Sequence, residues 1–287
     1  MTGDRALSAK PMSQRRRDEI DGRYLERRLE AAAATEEHFQ ELFSTHARRL
    51  TGIESCLERF RSSVEALRQQ RTGAAPAAVE ECHNELCVAE ELLLFNEPPF
   101  SLIEYEPLLP NGDGRIDFRA TNDHFVRSVE VKTIHPELKD RWDQYQRVVE
   151  AGHIADNMTV HFDRQWMGGE LWHQKFSARA KMLEYSLEFE GRIQRGGVDA
   201  PKHGFVLALF SDGFAWHEDE LEDFVAFYRT GRHRLDDGLA KMERHAFEEA
   251  GRTLTRRISA FAYFCRPVFE LLPTGKNWNV RPPKEPW

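Results

Sequence analysis

Asp117, Glu130 and Lys132 lie within one stretch, Asn111 to Ile134 (NGDGRIDFRATNDHFVRSVEVKTI). Val126 to Lys132 alternates in character, so on a strand Val129 and Val131 leave by one face while Glu130 and Lys132 leave by the other. A carboxylate and an amine then share a face. Arg115-Ile116-Asp117-Phe118 reads as a short strand after the turn residues Gly112-Asp113-Gly114, with Asp117 directed opposite to Ile116 and Phe118. Thr121-Asn122-Asp123 can turn the chain back. Paired as a hairpin, the two strands would bring Asp117 and Glu130 within reach of one hard cation, which takes oxygen ligands and leaves room for water and phosphate. Lys132 would sit beside that ion, and the side chains of Glu130 and Lys132 are expected to line a cleft.

Asp117, twelve intervening residues and then Glu130-Val131-Lys132 resemble the signature of the PD-(D/E)xK nuclease superfamily, the restriction-endonuclease-like fold, over roughly Ala78 to Phe210. Gly114-Arg115-Ile116 precedes the aspartate where the family often has proline. The resemblance implies hydrolysis of phosphodiester bonds in nucleic acid, DNA before RNA, with magnesium or manganese held by Asp117, Glu130 and the Val131 backbone carbonyl. It gives Lys132 one of two roles, orienting the attacking water or neutralising charge that develops on phosphorus. It also implies a glutamate from the helix before the strands. Glu85 fits that place, with Glu90 as the alternate, and the reading of both as solvated edge charges stands beside it. Glu137-Leu138-Lys139 repeats the acidic-x-Lys letters, but it follows Pro136 in a helical pattern, where residues two apart do not face each other.

Positioning these residues calls for an α/β class protein, a restriction-endonuclease-like core in which a mixed sheet is flanked by helices, with an N-terminal helical module that can be a coiled coil. Residues 1–17 read as a disordered basic tail with Arg15-Arg16-Arg17, 18–75 as the helical module, 76–217 as the core and 218–287 as a helical and extended C-terminal extension. In the helical module Phe39, Phe43, His46, Leu50, Ile53, Leu57, Phe60, Val64 and Leu67 form a heptad seam. That seam suits a homodimer or packing on the chain's own core. Thr51-Gly52-Ile53-Glu54 leaves one or two helices open.

Ala78 to Asn96 is helical, with Cys82, Leu86, Ala89 and Leu93 on one face. Phe100 to Glu106 is a strand candidate, and the motif strands follow. A helix from Pro136 carries Leu138, Trp142, Tyr145 and Val149 inward, and Met158 to Asp163 alternates as a strand. His161 and Asp163 there read as a polar face before a ligand pair. From Glu170 to Arg195 a helix places Trp172, Phe176, Ala180, Leu183 and Leu187 inward. Lys175, Arg179 and Lys181 fall off that stripe and are candidate phosphate contacts, the alternative being a solvated face. Phe205 to Phe210 is a buried strand, Glu218 to Tyr228 and Asp236 to Ala250 look helical, and Ile258 to Leu272 is apolar without a clear period.

The 287 residues suffice for one large core or a core with an appendage. No apolar run reaches membrane-spanning length and the N-terminus lacks a secretory apolar segment, so a cytoplasmic protein without membrane contact is expected. Cys56, Cys82, Cys87 and Cys265 are too few and scattered for a disulfide framework. A net charge of −8 excludes a surface that attracts nucleic acid everywhere, so any phosphate binding must be local. GxSxG and HExxH do not occur, and Thr274-Gly275-Lys276-Asn277 lacks the rest of a phosphate-cradling loop. Beside the nuclease stand two other expectations: a non-catalytic member of the same fold that binds nucleic acid or protein, and an assembly protein built on the seam.

Overall fold

The computed structural model describes residues 14–70, 76–111, 114–134, 178–196, 203–211, 218–234 and 247–265. The helix expected from Pro136, Glu137 and Lys139, the strand with His161 and Asp163, Lys175, and the end after Cys265 lie outside the described residues. Helices α1 (Gln14–Thr45), α2 (Ile53–Gln70) and α3 (Pro76–Leu94) precede strands β2 (Leu102–Tyr105), β3 (Phe118–Thr121) and β4 (Val126–Thr133). Further along come α4 (Ala178–Arg195), β5 (His203–Ser211), α5 (Glu218–Thr230) and β6 (Ala260–Cys265). A two-residue strand, β1 (Leu50–Thr51), stands between α1 and α2. α1 already includes Arg15 to Arg17, residues of good helix propensity placed in the expected tail.

The six strands among the described residues form one mixed sheet in the order β1-β2-β3-β4-β5-β6. β2-β3-β4 is an antiparallel meander, whereas β1 on β2, β5 on β4 and β6 on β5 are parallel. Strand alternation splits the core in two. Ile103, Tyr105, Phe118, Ala120, Val129, Val131, Ala208, Phe210 and Phe264 face α1 to α3. Phe205, Leu207, Leu209, Phe261 and Tyr263 face the other way, onto α4 and α5. The molecule is therefore an α/β protein with a mixed sheet between two helical layers.

The break between α1 and α2 has a local cause. The hydroxyls of Ser44 and Thr45 donate to the Glu41 carbonyl at 2.8 and 2.9 Å, competing with the helix ladder at its last turn. Gly52 then takes φ +80°, and a Cβ there would stand 3.0 Å from the Tyr105 carbonyl oxygen. Only glycine suits that approach. The heptad seam is thus interrupted, and Phe39, Phe43, Leu50, Ile53, Leu57, Phe60 and Leu67 are buried in the same cluster as the sheet's helical face. Of the two uses weighed for the seam, packing on the chain's own core is the one these residues have.

α3 is covered nearly all round, from Cys82 through Glu90, because α1 and α2 lie on one side and the sheet on the other. Asn84 Nδ2 donates to the Thr133 hydroxyl at 2.7 Å, which ties α3 to the end of β4. Two sequence expectations shift. The strand expected at Arg115–Phe118 begins only at Phe118, because Phe118 and Ala120 are the inward pair and Arg119 between them pairs with Glu104 across the ladder. The apolar stretch after Ile258 contributes β6 to the sheet, so the C-terminal region is part of the core layer.

Candidate active site

β3 and β4 pair with Phe118 opposite Val129, so one step further along the ladder Asp117 stands opposite Glu130. The turn between them is made by Asn122, whose side-chain oxygen accepts from the N–H groups of His124 and Phe125 at 2.9 and 3.0 Å. Asp117 lies just before β3 begins. Its Oδ2 accepts the Val131 N–H at 2.6 Å, taking the bond a further residue of β3 would have made. On a strand, one residue's N–H and C=O leave by the same side, so the Val131 carbonyl is also directed to the edge occupied by Asp117. The structure brings Asp117, Glu130, Val131 and Lys132 together.

Glu130 is only 1% exposed, and its Oε1 receives two cations: Lys132 Nζ at 3.0 Å and the Arg192 guanidinium in a very short contact. The expected cleft-lining position is corrected for Glu130, which is buried because α4 covers this face of β4. Lys132, at 24% exposure, does reach the edge, with its ammonium 5.6 Å from the centre of the Tyr185 ring. Glu130 Oε2 is buried and has no hydrogen-bond partner among the described residues. A buried carboxylate oxygen without a donor is costly, and a cation is the natural remedy.

Electrostatics at Asp117 point the same way. Burial, then the neighbouring Glu130 and then Glu85 push its carboxyl up to about 8, against the opposing Val131 N–H and Lys132. Like charges cannot all remain ionised in a shared dry site unless a proton or a metal ion joins them. Burial opposes the charge on Lys132, but Glu130 outweighs it and holds the ammonium above its ordinary value. Lys132 therefore stays a cation, suited to steering an anion or a polarised water.

Glu85 approaches Asp117 closely enough to raise its carboxyl, yet its own oxygens are engaged. Arg59 Nη1 donates to Oε2 at 3.0 Å, and the Tyr105 hydroxyl donates to the same atom. Burial still raises the Glu85 carboxyl above the usual range. The alternate, Glu90, points elsewhere on α3 and meets His38 on α1 at 2.8 Å. Among the described residues no three His, Cys, Asp or Glu side chains form a group that could hold a metal ion. The arrangement offers two carboxylates and a backbone carbonyl, a donor set that suits magnesium, which keeps several waters when it binds.

The phosphate-contact candidates fare unequally. Arg179 is 1% exposed and forms a buried ion pair with Asp223 at 3.1 Å, so it is corrected from a surface contact to a core residue. Lys181 remains partly exposed and pairs with Glu184 at 2.8 Å. The cause is a rotation of the buried stripe on α4. Met182, Ser186, Phe189 and Ile193 face inward, whereas the expected Ala180 and Leu187 are only half-buried. The same rotation turns Lys181, Tyr185, Glu188 and Arg192 toward β4. Arg192 was not among the sequence candidates, and the signal that finds it is the 182-186-189-193 spacing, which makes its flank the one beside Glu130. Neither a protein-family model, a curated protein nor a solved structure matches this chain.

Proposed function

We propose that the chain is a metal-dependent nuclease with a restriction-endonuclease-like core, hydrolysing phosphodiester bonds in nucleic acid, DNA before RNA. The observation that carries this reading is the position of Asp117 opposite Glu130, one carboxyl pushed up to about 8 and the other with a buried oxygen lacking a donor. Both features are relieved by one divalent cation. Asp117, Glu130 and the Val131 carbonyl would hold magnesium or manganese, and Glu85 would shape the field around it. The bound ion would polarise the phosphodiester and lower the pKa of a coordinated water. Lys132, kept charged by Glu130, orients the attacking water or neutralises charge developing on phosphorus. The β3–β4 pairing fixes Glu130 on a strand and Asp117 one residue before one, tied to it by the Val131 N–H, which is the positional precision such a site needs.

The alternative is a non-catalytic member of the fold that binds nucleic acid or protein. One observation favours it: Lys132 and Arg192 already pair with Glu130 Oε1. The test is incubation of purified protein with linear DNA, circular DNA and RNA, in magnesium or in EDTA. Cleavage in magnesium alone is expected, and Glu130→Gln and Lys132→Ala should each lower the rate by at least about 100-fold. Gln is chosen because it keeps the shape of a buried side chain. Glu137→Ala and Lys139→Ala, in the second acidic-x-Lys triplet, should remain active. Wild-type rates in Glu130→Gln would end the nuclease reading.

A further inference from the structure

Arg192 sits on α4, and three observations about it belong together. One guanidinium nitrogen bonds Glu130 Oε1, another donates to the Arg115 carbonyl oxygen at 3.2 Å, and Glu188 lies 3.8 Å away. The side chain is 17% exposed, so it is neither a core residue nor a free surface arginine. Its Nε is buried with no hydrogen-bond partner among the described residues. Arginine is a fork of five donors matched to planar or tetrahedral oxyanions, and here that fork is only partly used.

The contact is also badly placed for a site whose purpose is to hold a divalent ion. An arginine on Oε1 and a metal ion at the same carboxylate repel each other at close range in a dry setting. The conflict disappears if the guanidinium turns off Glu130 when the metal arrives. The metal brings two charges where the arginine supplied one, and a displaced guanidinium beside it faces whatever anion the metal attracts.

We infer that Arg192 is a phosphate-binding residue kept in reserve on Glu130: the divalent cation displaces its guanidinium from the carboxylate, and the released fork clamps the phosphate of the substrate. The inference rests on the proposed nuclease reading. It adds a residue and a sequence of events to that site: cation first, phosphate second.

The test compares wild type with Arg192→Ala in two titrations of intact protein. In the first, calcium is titrated calorimetrically without nucleic acid. If the guanidinium competes for Glu130, its removal should tighten calcium binding about tenfold, whereas general damage to the site would weaken it. In the second, binding of a short fluorescein-labelled DNA duplex is followed in calcium at several salt concentrations. Arg192→Ala should bind roughly tenfold more weakly, and the slope of log affinity against log salt should fall by about one. Arg192→Gln, which retains a donor for Glu130, carries both measurements if the alanine variant does not fold. Unchanged or weaker calcium binding in a folded variant overturns the inference, as does unchanged duplex affinity. Wild type that binds neither calcium nor duplex removes the nuclease reading itself, and this inference with it, a result distinguishable because it appears before any substitution.

Discussion

At the scale of single residues, Asp117 makes a statement about stability as well as chemistry. Its carboxyl is raised from the ordinary aspartate range to about 8 in the folded, metal-free protein. A raised acid binds its proton more tightly folded than unfolded, so its contribution is fully present below about pH 4 and is lost as pH rises through about 8. Metal-free protein in EDTA should therefore lose resistance to urea across that window, and Asp117→Asn, which can still accept from the Val131 N–H, should flatten the loss. Magnesium should restore wild-type stability at pH 8 by binding the folded state, and should do little for Asp117→Asn. An equal pH response in the two proteins would mean that Asp117 is not the strained group. The acid-x-Lys letters made Glu130 and Lys132 legible, since strand alternation alone puts them on one face. Arg192 was not legible. Its place depends on which flank of a distant helix meets β4, and that is decided by packing more than sixty residues away.

At the scale of elements, α4 shows why a stripe read from local hydrophobicity can turn. Ala180, Leu183 and Leu187 gave an apolar line, but of these only Leu183 is buried; the buried line runs mainly through Met182, Ser186, Phe189 and Ile193 and carries Arg179 and Glu190 inward with it. Both charged residues have partners from other elements. Asp223 on α5 receives Arg179, His233 at 2.7 Å and the Arg234 N–H, while Glu190 accepts from Thr255 and Arg257 N–H groups at 2.6 and 3.0 Å. A sequence scan assigns such residues to the surface because it cannot see the partner from another element. Arg179→Met should therefore cost about 3–5 kcal/mol in urea unfolding, since it removes one partner of a buried pair. Salt dependence of DNA binding should be unchanged, and an altered slope with intact stability would return Arg179 to the surface. β6 went unread for a related reason, because a strand covered on both faces, with Phe261 against Phe224 and Tyr228 of α5 and Phe264 stacked on Phe210, has no clean alternation of apolar and polar residues. The β3–β4 hairpin was readable since its turn chemistry and its one-residue alternation agree.

At the scale of the whole molecule, the net charge of −8 decides what kind of nucleic-acid surface is physically possible. The chain cannot draw a polyanion by its general field, so the contacts of the proposed nuclease must be few and placed. With Arg179 inside the core, the described surface that suits this is the flank of α4 facing β4. Lys181 and Arg192 stand at its two ends, about 16 Å apart along the helix axis, with Lys132 across from them on the strand. Each phosphate neutralised on duplex DNA adds about −0.9 to the slope of log affinity against log salt. Three to five contacts give a slope of roughly −3 to −5, measured in calcium so that no cleavage occurs. Lys181→Gln should flatten that slope by about one unit without changing calcium affinity, because Lys181 reaches Glu184 and does not touch Glu130. If the slope stays the same, the outer end of α4 is a solvated face, and the basic run Arg15 to Arg17 becomes the place where the remaining phosphate contacts must be sought.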